Sequence, residues 1–437
     1  MENVLVFGAG LVAGPLVQYL LDQGYSVKVA SRTLTTAESL VEDHPHGHAV
    51  RFDITEDQAM LDNLVSQADL AVSLLPYVYH VQVAKACIGH PIPMVTTSYV
   101  SDDMQALDQD AREAGVILLN EVGLDPGIDH MSAMRIIDRV HDESGEIKAF
   151  RSFCGGLPAP EANDNPLGYK FSWSPRGVLL AGRNDARYLR NGKIVEVPNE
   201  RLFASHYVTR VEGLGDLESY PNRNALPYID RYGIPETETM YRGTLRNLGW
   251  CNVMQKLNDL GYFSLDEQVR LHDKTFRQVM ADLIEKDPAD DLKVDLARQL
   301  NVAPNSGVMM TLEWLGLLND ESMPETTTLL DALAARMLDK MQYRDRERDM
   351  VVLVHEFLVA YRDREESITS TLIDFGVPDG DTAMARTVGS PAAIGARMIL
   401  EGEISLTGVH IPVVPEIYQP ILDELESLGV VFEESLD

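Results

Sequence analysis

The deciding stretch of this sequence is Val4-Leu5-Val6-Phe7-Gly8-Ala9-Gly10-Leu11-Val12-Ala13-Gly14. A short apolar run, typical of a buried strand, leads at once into a glycine-rich turn and then into a helical pattern over residues 15–21. In that setting the spacing G-x-G-x-x-A is the dinucleotide-binding fingerprint. Gly8 permits the tight turn, Gly10 lets a pyrophosphate approach the backbone, and the small Ala13 lets the helix pack closely on the strand. The sequence therefore predicts a Rossmann domain around this stretch.

Strand and helix signals alternate after the fingerprint. Further apolar runs typical of strands cover residues 27–30, 49–52, 70–75, 94–97 and 116–120. Thr35 and Glu38 have the spacing of a capping box at the start of the second helix. Six strands with helices between them make a complete Rossmann sheet, which we predict for residues 1–124.

The residues at the ends of these strands indicate which dinucleotide binds. Ser31-Arg32-Thr33 follows the second strand, where a site that prefers NAD usually carries Asp or Glu for the ribose 2′-hydroxyl. Serine and arginine suit a 2′-phosphate instead, because guanidinium pairs well with phosphate. Asp53-Ile54, at the third strand end, is expected beside the adenine, and Leu75, at the fourth, beside the ribose. The sequence thus favours NADP over NAD, with a solvent-facing Arg32 as the alternative.

A second informative stretch is the turn after the sixth predicted strand, Val122-Gly123-Leu124-Asp125-Pro126-Gly127-Ile128-Asp129-His130. Pro126 fixes φ and Gly127 allows a positive φ, which is turn chemistry. Asp129 is predicted to cap a helix over about residues 129–140. In an open α/β sheet, ligands bind at this edge. On these residues alone, the plainer interpretation is a tight turn with Asp125 in solvent.

The pattern changes at about residue 146. A strand over residues 147–154 ends in a Gly/Pro-rich loop, residues 251–342 look helical, and residues 350–360 and 370–375 look like strands again. We therefore predict an α+β substrate and dimerisation domain with a mixed sheet over residues 125–250 and 343–394. Residues 251–342 are expected to form a helical insertion, and the segment from about 395 is a candidate to return to the Rossmann domain.

Composition excludes several classes of protein. The formal charge of −31 argues against nucleic acid and anionic membranes as partners. No apolar run is long enough for a transmembrane helix, and the N-terminus lacks a signal-peptide pattern, so we expect a cytoplasmic protein. The three cysteines are widely spaced and argue against a disulfide framework or a Cys-based zinc site; no metal is predicted.

Several longer blocks are similar to those of a known family. Besides the fingerprint, they cover residues 95–101, 120–130, 154–160, 164–174, 242–246 and 383–389. Together they resemble the saccharopine reductases, the NADP-linked, glutamate-forming saccharopine dehydrogenases, over essentially the whole chain. The resemblance implies an enzyme of lysine metabolism that interconverts saccharopine with L-glutamate and 2-aminoadipate 6-semialdehyde. It also implies a homodimer through the substrate-domain sheet, where residues 350–360 are expected to offer an apolar surface.

The resemblance further implies a set of site residues. It places the substrate contacts at Ser98, Tyr99, Asp125, Arg223, Thr244, Leu245 and Arg246. It places the cofactor contacts at Gly10, Leu11, Val12, Ser31, Arg32, Thr33, Asp53, Ile54, Leu75, Leu124, Asp125 and Cys154, while Gly8 and Ala13 complete the fingerprint. Arginine forks suit the three carboxylates of saccharopine, although a surface ion pair is the plainer interpretation of each arginine.

The same residues suggest roles in the reaction. Asp125 is expected to stabilise a developing iminium cation or to relay a proton, and Tyr99 to donate to the carbinolamine oxygen. Cys154 is expected to pack against the nicotinamide, with a role as an acid as the alternative. Two other functions fit the fingerprint: a related imine reductase or dehydrogenase on another amino-acid or polyamine Schiff base, such as carboxynorspermidine, and a non-catalytic NADP(H)-binding sensor. The two arginines favour the saccharopine enzyme over both.

Overall fold

The computed structural model describes residues 1–268 and 270–436. The chain forms two compact units. The first comprises Met1–Gly145 and Asp379–Glu433, and the second comprises Glu146–Pro378 and the chain from Glu434. Within the described residues, no helix is long and apolar enough to cross a bilayer, and no cluster of three or more His, Cys, Asp or Glu side chains could hold a metal ion.

Strands and helices follow one another through both units. The strands, in chain order, are β1 Asn3–Phe7, β2 Ser26–Ser31, β3 Gly47–Arg51, β4 Leu70–Ser73, β5 Met94–Thr96, β6 Ile117–Leu119, β7 Glu146–Pro158, β8 Ala186–Arg190, β9 Lys193–Val197, β10 Tyr207–Val211, β11 Gly215–Pro221, β12 Thr239–Arg246, β13 Asp349–Ala360, β14 Glu365–Phe375, β15 Gly408–His410 and β16 Glu433–Leu436. The helices are α1 Ala13–Asp22, α2 Leu34–Val41, α3 Gln58–Val65, α4 His80–Gly89, α5 Asp102–Gln105, α6 Asp108–Ala114, α7 Ile128–Asp142, α8 Pro175–Ala181, α9 Pro227–Arg231, α10 Trp250–Asp259, α11 Phe276–Leu283, α12 Leu292–Gln299, α13 Gly307–Trp314, α14 Leu329–Lys340, α15 Ala383–Leu400 and α16 Pro415–Ser427.

The first unit is built on a parallel sheet of seven strands in the order β15-β6-β5-β4-β1-β2-β3. From β3 to β6 this is the strand order of the dinucleotide-binding Rossmann fold, so the predicted fold class is confirmed for this unit. The glycine turn closes tightly after β1. Gly8 has φ +105°, and a Cβ at this position would lie 3.0 Å from the Leu74 carbonyl oxygen. Ala13 is fully buried at the start of α1.

The last segment of the chain completes this unit. β15 pairs with β6 as the seventh strand, and α15 packs against α1. That approach depends on Gly389, where a Cβ would lie 2.9 Å from the Val12 carbonyl oxygen. α16 packs on α7, where the Tyr418 hydroxyl donates to Asp138 at 2.5 Å. The compact units therefore divide at residues 145 and 379, whereas the predicted boundaries were 124 and about 395, because α7 and α15 bury their apolar faces in the first unit.

The second unit has a mixed sheet, as predicted. Its main strand order is β10-β11-β12-β7-β13-β14-β16, and β8 and β9 extend it from β12. β12 and β7 are parallel, whereas β13 runs antiparallel to both β7 and β14. β13 is thus an inner strand whose apolar side chains are almost all buried within the chain; Leu358 is exposed and Ala360 is partly exposed. The expectation that residues 350–360 offer a free apolar surface to a second subunit is therefore wrong.

The segment between β12 and β13 is helical and contains α10–α14. Each of these helices buries part of its surface; Trp250 of α10 and Leu333 of α14 are among the side chains with almost no exposure. A capping box joins Thr275 and Gln278 at the start of α11. This segment of the second unit is therefore stabilised by its own core as well as by its caps.

Two predicted helix caps are wrong. The box expected at Thr35 does not form, since the cap position is Thr33, two residues earlier, and no side chain caps α2 in the described structure. Asp129 does not cap α7, because the cap position is Gly127. The Asp129 carboxylate instead accepts the Gly127 N–H at 2.6 Å and so closes the turn in front of the helix.

Candidate active site

The dinucleotide loop and the ends of the neighbouring strands lie at one edge of the parallel sheet. Gly8 follows β1, Ser31 ends β2, Asp53 follows β3 and Leu75 follows β4. Since carboxyl ends of parallel strands share an edge, the cofactor residues predicted on these strands are brought together. A Cβ at Gly10 would meet no atom within 4 Å, and the Leu11 side chain is 66% exposed. The backbone at the start of α1 is therefore open to a pyrophosphate, which fits NADP.

Arg32 and Asp53 occupy the positions expected to recognise the adenosine part of the cofactor. The Asp53 carboxylate accepts the Thr55 N–H at 2.9 Å and the Thr55 hydroxyl at 2.7 Å. Those two bonds, together with the nearby charges of Arg32 and Arg51, hold the pKa of Asp53 below its usual range. Asp53 is therefore an ionised acceptor near Arg32, whose exposed guanidinium suits a 2′-phosphate.

The loop after β5 and the turn after β6 bring two predicted substrate residues together. The Tyr99 hydroxyl donates to Asp125 Oδ1 at 2.5 Å, and both side chains are partly exposed. Asp125 lies in a turn that only glycine can close, because Gly127 has φ +148° and a Cβ there would lie 2.0 Å from the Gly123 carbonyl oxygen. The structure therefore presents an oriented carboxylate at the ligand-binding edge of the sheet.

Ser98, the third predicted substrate residue of this unit, contacts a buried histidine. His80 Nε2 lies 2.8 Å from Ser98 Oγ, and Nδ1 lies 2.8 Å from Ser73 Oγ. Burial lowers the pKa of His80 to about 4, so the imidazole is neutral near neutral pH. A neutral imidazole has one donor and one acceptor nitrogen and so restricts the orientation of the Ser98 hydroxyl. Sequence reasoning missed His80, because a lone histidine in a helical segment gives no signal before β4 and β5 pack beside it.

In the second unit, Arg246 on β12 is a buried cation with no carboxylate partner among the described residues. It is 4% exposed, and its guanidinium lies over the rings of Tyr169 and Trp250, whose centroids are 4.9 Å and 5.3 Å away. Nη1 donates to the Leu245 carbonyl oxygen at 2.7 Å, whereas Nε has no hydrogen-bond partner there. Burying a charge without a partner is costly, so this guanidinium suits a carboxylate brought by a ligand. The surface ion pair considered as an alternative is wrong for Arg246.

Thr244 and Cys154 are neighbours in the same sheet. Thr244 on β12 has two register partners, which are Cys154 on β7 and, on the other side, Tyr220 on β11. Alternation along the strand puts Thr244 and Arg246 on one face, and the fully buried Leu245 on the other. Cys154 is itself buried, which agrees with a packing role.

Arg223 lies elsewhere in this unit. It follows β11 by two residues, is exposed and has φ +55°. The preceding Asn222 donates its N–H to the Arg242 carbonyl oxygen at 2.8 Å. Arg242 precedes Arg246 by four residues on β12, which corresponds to about 14 Å at about 3.4 Å per residue. The backbone positions that carry Arg223 and Arg246 are therefore well separated, an arrangement that suits an elongated ligand with several carboxylates.

Two family models match the chain. Residues 4–119 match the saccharopine dehydrogenase NADP binding domain, and residues 123–430 match the saccharopine dehydrogenase C-terminal domain. The chain belongs to the saccharopine dehydrogenase family. The resemblance inferred from the sequence blocks is confirmed. The first match spans β1–β6 of the parallel sheet, so NADP is the cofactor of this family member, as predicted.

Relatives of known name match this saccharopine dehydrogenase family member over its whole length. It is 39% identical to saccharopine dehydrogenase [NADP(+), L-glutamate-forming] of Pyricularia oryzae, with 100% of this chain and 99% of that protein covered. It is 40% identical to the enzyme of the same name from Saccharomyces cerevisiae, with 99% of each chain covered. It is 38% identical to the mitochondrial alpha-aminoadipic semialdehyde synthase of Bos taurus, over 99% of this chain but 47% of that longer protein.

Solved structures give the same result for the fold of this family member. The apo, histidine-tagged saccharopine dehydrogenase (L-Glu forming) from Saccharomyces cerevisiae superimposes with a TM-score of 0.89 at 39% identity, covering 100% of both chains. Homospermidine synthase from Legionella pneumophila in complex with NAD superimposes with a TM-score of 0.60 at 11% identity, over 100% of this chain and 91% of that one. The second likeness concerns the fold alone.

Proposed function

We infer that this chain is an oxidoreductase of lysine metabolism that interconverts saccharopine with L-glutamate and 2-aminoadipate 6-semialdehyde, using NADP(H). The observation that carries this inference is the full-length likeness to saccharopine dehydrogenases that are NADP-dependent and L-glutamate-forming. The identity to the three fungal enzymes is 38–40%, and 99% of each of those proteins is covered.

The charges of the second unit fit saccharopine, which carries three carboxylates and a secondary amine. We assign Arg246 to one carboxylate, together with Thr244 and the backbone of Leu245, and Arg223 to another. This assignment is supported by the buried guanidinium of Arg246, which no protein carboxylate neutralises within the described residues. A hydrogen bond to a charged group contributes about 1.5–3 kcal/mol, so two such arginines account for much of the substrate affinity.

The first unit holds the groups that fit the dinucleotide. We assign the backbone from Gly10 to Val12 to the pyrophosphate, Arg32 with its neighbours to the 2′-phosphate, and Asp53 with Ile54 to the adenine. Leu75, Leu124 and Cys154 are proposed as further cofactor contacts from the resemblance. When bound, NADP(H) supplies or accepts the hydride, and the protein contributes orientation and electrostatics.

Asp125 and Tyr99 act on the charge that develops in the substrate. In the reducing direction the glutamate amine condenses with the aldehyde, and the protonated imine that results is a cation. Asp125 accepts a hydrogen bond from the Tyr99 hydroxyl at 2.5 Å. This bond orients the carboxylate and favours electrostatic stabilisation of that cation. Tyr99 donates to a carbinolamine oxygen only by giving up this bond. We therefore propose stabilisation of the cation as the role of Asp125 and orientation of Asp125 as the main role of Tyr99.

The experiment that tests the assignment is turnover by the purified protein. Saccharopine with NADP⁺ should give NADPH, L-glutamate and the semialdehyde, whereas lysine with 2-oxoglutarate should give nothing, because that pair belongs to the lysine-forming activity. NAD⁺ in place of NADP⁺ should support slower turnover. Binding of NADPH without turnover in either direction would identify a sensor, and turnover of carboxynorspermidine alone would identify a polyamine enzyme.

The role of Asp125 has its own test. Asp125→Ala should lower kcat more than it raises KM, because the carboxylate responds to charge that exists only during the reaction. Asp125→Asn keeps the shape and the hydrogen bond of the side chain but removes its charge, and we expect a similar loss of kcat. Turnover that is insensitive to both substitutions would leave Asp125 as a turn residue only.

We further propose that the protein works in the cytoplasm as a homodimer. Cys87, Cys154 and Cys251 are buried and form no disulfide, which suits a reducing compartment. The homodimer is proposed from the resemblance to the family. Cell fractionation with compartment markers tests the location; enrichment with an organelle would refute it.

A further inference from the structure

A buried carboxylate links the two segments that carry the Tyr99–Asp125 pair. Glu121 is fully buried in the first unit and has φ +58°. Its Oε1 accepts the Val100 N–H at 3.0 Å, and its Oε2 lies 2.7 Å from Nε2 of His130, which is also fully buried. One side chain therefore connects the loop after β5 with the first turn of α7.

The backbone around Glu121 strengthens the same connection. The Glu121 N–H donates to the Ser98 carbonyl oxygen at 3.1 Å, and the Val122 N–H donates to the Thr96 carbonyl oxygen at 3.2 Å. The loop that carries Tyr99 is thus held at Ser98 by the backbone of Glu121 and at Val100 by its side chain. Because Tyr99 lies between these two anchors, its position depends directly on Glu121.

His130 lies next to the turn that contains Asp125. Its Nδ1 lies 3.6 Å from Asp129 Oδ1, and that oxygen accepts the Gly127 N–H at 2.6 Å. Gly127 closes the turn that contains Asp125, with its own carbonyl oxygen accepting the His130 N–H at 2.9 Å. The Asp129 carboxylate that closes the turn with Asp125 therefore lies beside the His130 ring, whose Nε2 contacts the Glu121 side chain that holds the loop with Tyr99.

We propose that the Glu121–His130 pair is a positioning element, which sets the distance between the Tyr99 hydroxyl and Asp125 and thereby the rate of the chemical step. The pair is separated from solvent, so it acts through these two residues rather than on the substrate. Buried polar groups persist only when they are bonded, and a fully bonded buried pair holds its surroundings in one arrangement. Reacting groups must be held closely, since a misplacement of about 1 Å can cost about 100-fold in rate. This inference rests on the proposed function.

The test compares Glu121→Ala with the conservative Glu121→Gln. The amide of glutamine still accepts the Val100 N–H and still bonds His130. Glu121→Gln should therefore retain kcat within about threefold, a smaller effect than the loss of one whole hydrogen bond would cause. Glu121→Ala removes both bonds, and kcat should fall about 10- to 100-fold. The dissociation constant of NADPH should change little in either variant, because the fingerprint after β1 is untouched. Glu113→Ala, an exposed glutamate of α6, is the matched control and should behave as the native enzyme.

A double-mutant cycle with Tyr99→Phe separates positioning from general structural damage. If Glu121 acts through Tyr99, the fold-loss caused by Glu121→Ala should shrink markedly once the Tyr99 hydroxyl is absent. The proposal is overturned if the fold-losses in kcat of the two single variants multiply in the double variant, or if folded Glu121→Ala has the native kcat. If Glu121→Ala does not fold, His130→Asn takes its place in the same cycle. Native turnover of saccharopine is measured first, so failure of the proposed function is distinguished from failure of this inference.

Discussion

At the scale of single residues, Arg246 and Lys170 are both buried cations of the second unit, but they are compensated in different ways. Lys170 Nζ lies 2.7 Å from Glu347 and 2.9 Å from Asp164. Arg246 has aromatic rings around it but no carboxylate partner in the described part of the chain. Removing one member of an ion pair leaves the other uncompensated, whereas removing an unpaired cation leaves no such charge behind. The two residues should therefore differ in what they contribute to stability and to binding.

Replacement by methionine tests this difference. Lys170→Met should lower the free energy of unfolding by about 2–3 kcal/mol, somewhat less than for a fully buried pair, because Asp164 is partly exposed and both carboxylates keep Arg344 as a partner. Arg246→Met should leave the free energy of unfolding unchanged or raise it, while the KM for saccharopine rises about 10- to 100-fold. Urea denaturation and steady-state kinetics measure the two effects. A native KM in Arg246→Met, or a loss of stability equal to that of Lys170→Met, contradicts the assignment of Arg246 to a substrate carboxylate.

His80 should make stability depend on pH. Burial lowers its pKa to about 4, against about 6.5 in an unfolded chain. Between these values the unfolded chain binds a proton that the folded chain excludes, so the free energy of unfolding falls as pH drops through this window and is unaffected above it. From about pH 7 to about pH 5, this group should remove about 2 kcal/mol of stability.

Urea denaturation at both pH values measures this contribution. The native protein and the exposed-site control His48→Gln should lose the same stability on acidification, whereas His80→Gln should lose about 2 kcal/mol less. The comparison uses the pH dependence rather than the absolute stability, so a general destabilisation of His80→Gln does not affect it. Equal losses in all three proteins would mean that His80 is not held neutral.

Those candidate-site residues that lie at the ends of strands could be predicted from the sequence. Gly8, Ser31, Asp53 and Tyr99 follow apolar runs closely, and a parallel sheet necessarily brings such positions to one edge. The parts that depend on tertiary packing were not predictable. His80 and the bonding of Glu121 arise only when neighbouring strand ends meet, and the sequence around each of them has no spacing that signals it.

At the scale of elements, β1–β6 were predicted to within a few residues because each is a compact apolar run bounded by turn residues. β15 was not predicted, since a strand of three residues has no periodicity and owes its place to pairing with β6. The incorrect box at Thr35 has a similar origin: local spacing suggested a cap there, but the cap position of α2 is Thr33, two residues earlier. Boundaries set by long-range contacts are therefore where the sequence alone failed.

The contact between α15 and α1 gives a prediction at this scale. Gly389→Ala places a Cβ 2.9 Å from the Val12 carbonyl oxygen and 3.2 Å from the Leu16 nitrogen, so the helices must move apart. We expect a loss of about 1–3 kcal/mol in stability, together with weaker NADPH binding because the start of α1 shifts.

Gly395→Ala in the same helix is the matched control. Its Cβ would meet only side-chain atoms, at 3.4 Å or more, and replacing a helical glycine by alanine should stabilise by up to about 1 kcal/mol. Thermal unfolding and fluorescence titration with NADPH measure both variants. Native affinity for NADPH in Gly389→Ala would show that the helix contact does not control the cofactor loop.

At the scale of the whole molecule, the formal charge of −31 opposes self-association, and the repulsion is longest-ranged at low salt, with a screening length of about 30 Å at about 0.01 M. We nevertheless expect a dimer that persists at low salt, held by surfaces other than the apolar face of β13. Light scattering should give twice 48.6 kDa at both low and physiological salt. A mass of 48.6 kDa at every concentration would refute the homodimer.

The return of the C-terminal segment to the first unit has a consequence for biosynthesis. The Val409 N–H donates to Asp108 at 2.8 Å across 301 positions of sequence, and β15 covers the outer edge of β6. At about 5–20 residues per second, a ribosome needs about 15–60 s to supply that partner. Until then the edge of β6 is unpaired and open to wrong strand pairing, while the inserted second unit emerges and folds. Synthesis of the nucleotide-binding unit thus begins before that of the second unit, but the unit is completed only after residues 146–378 have been made.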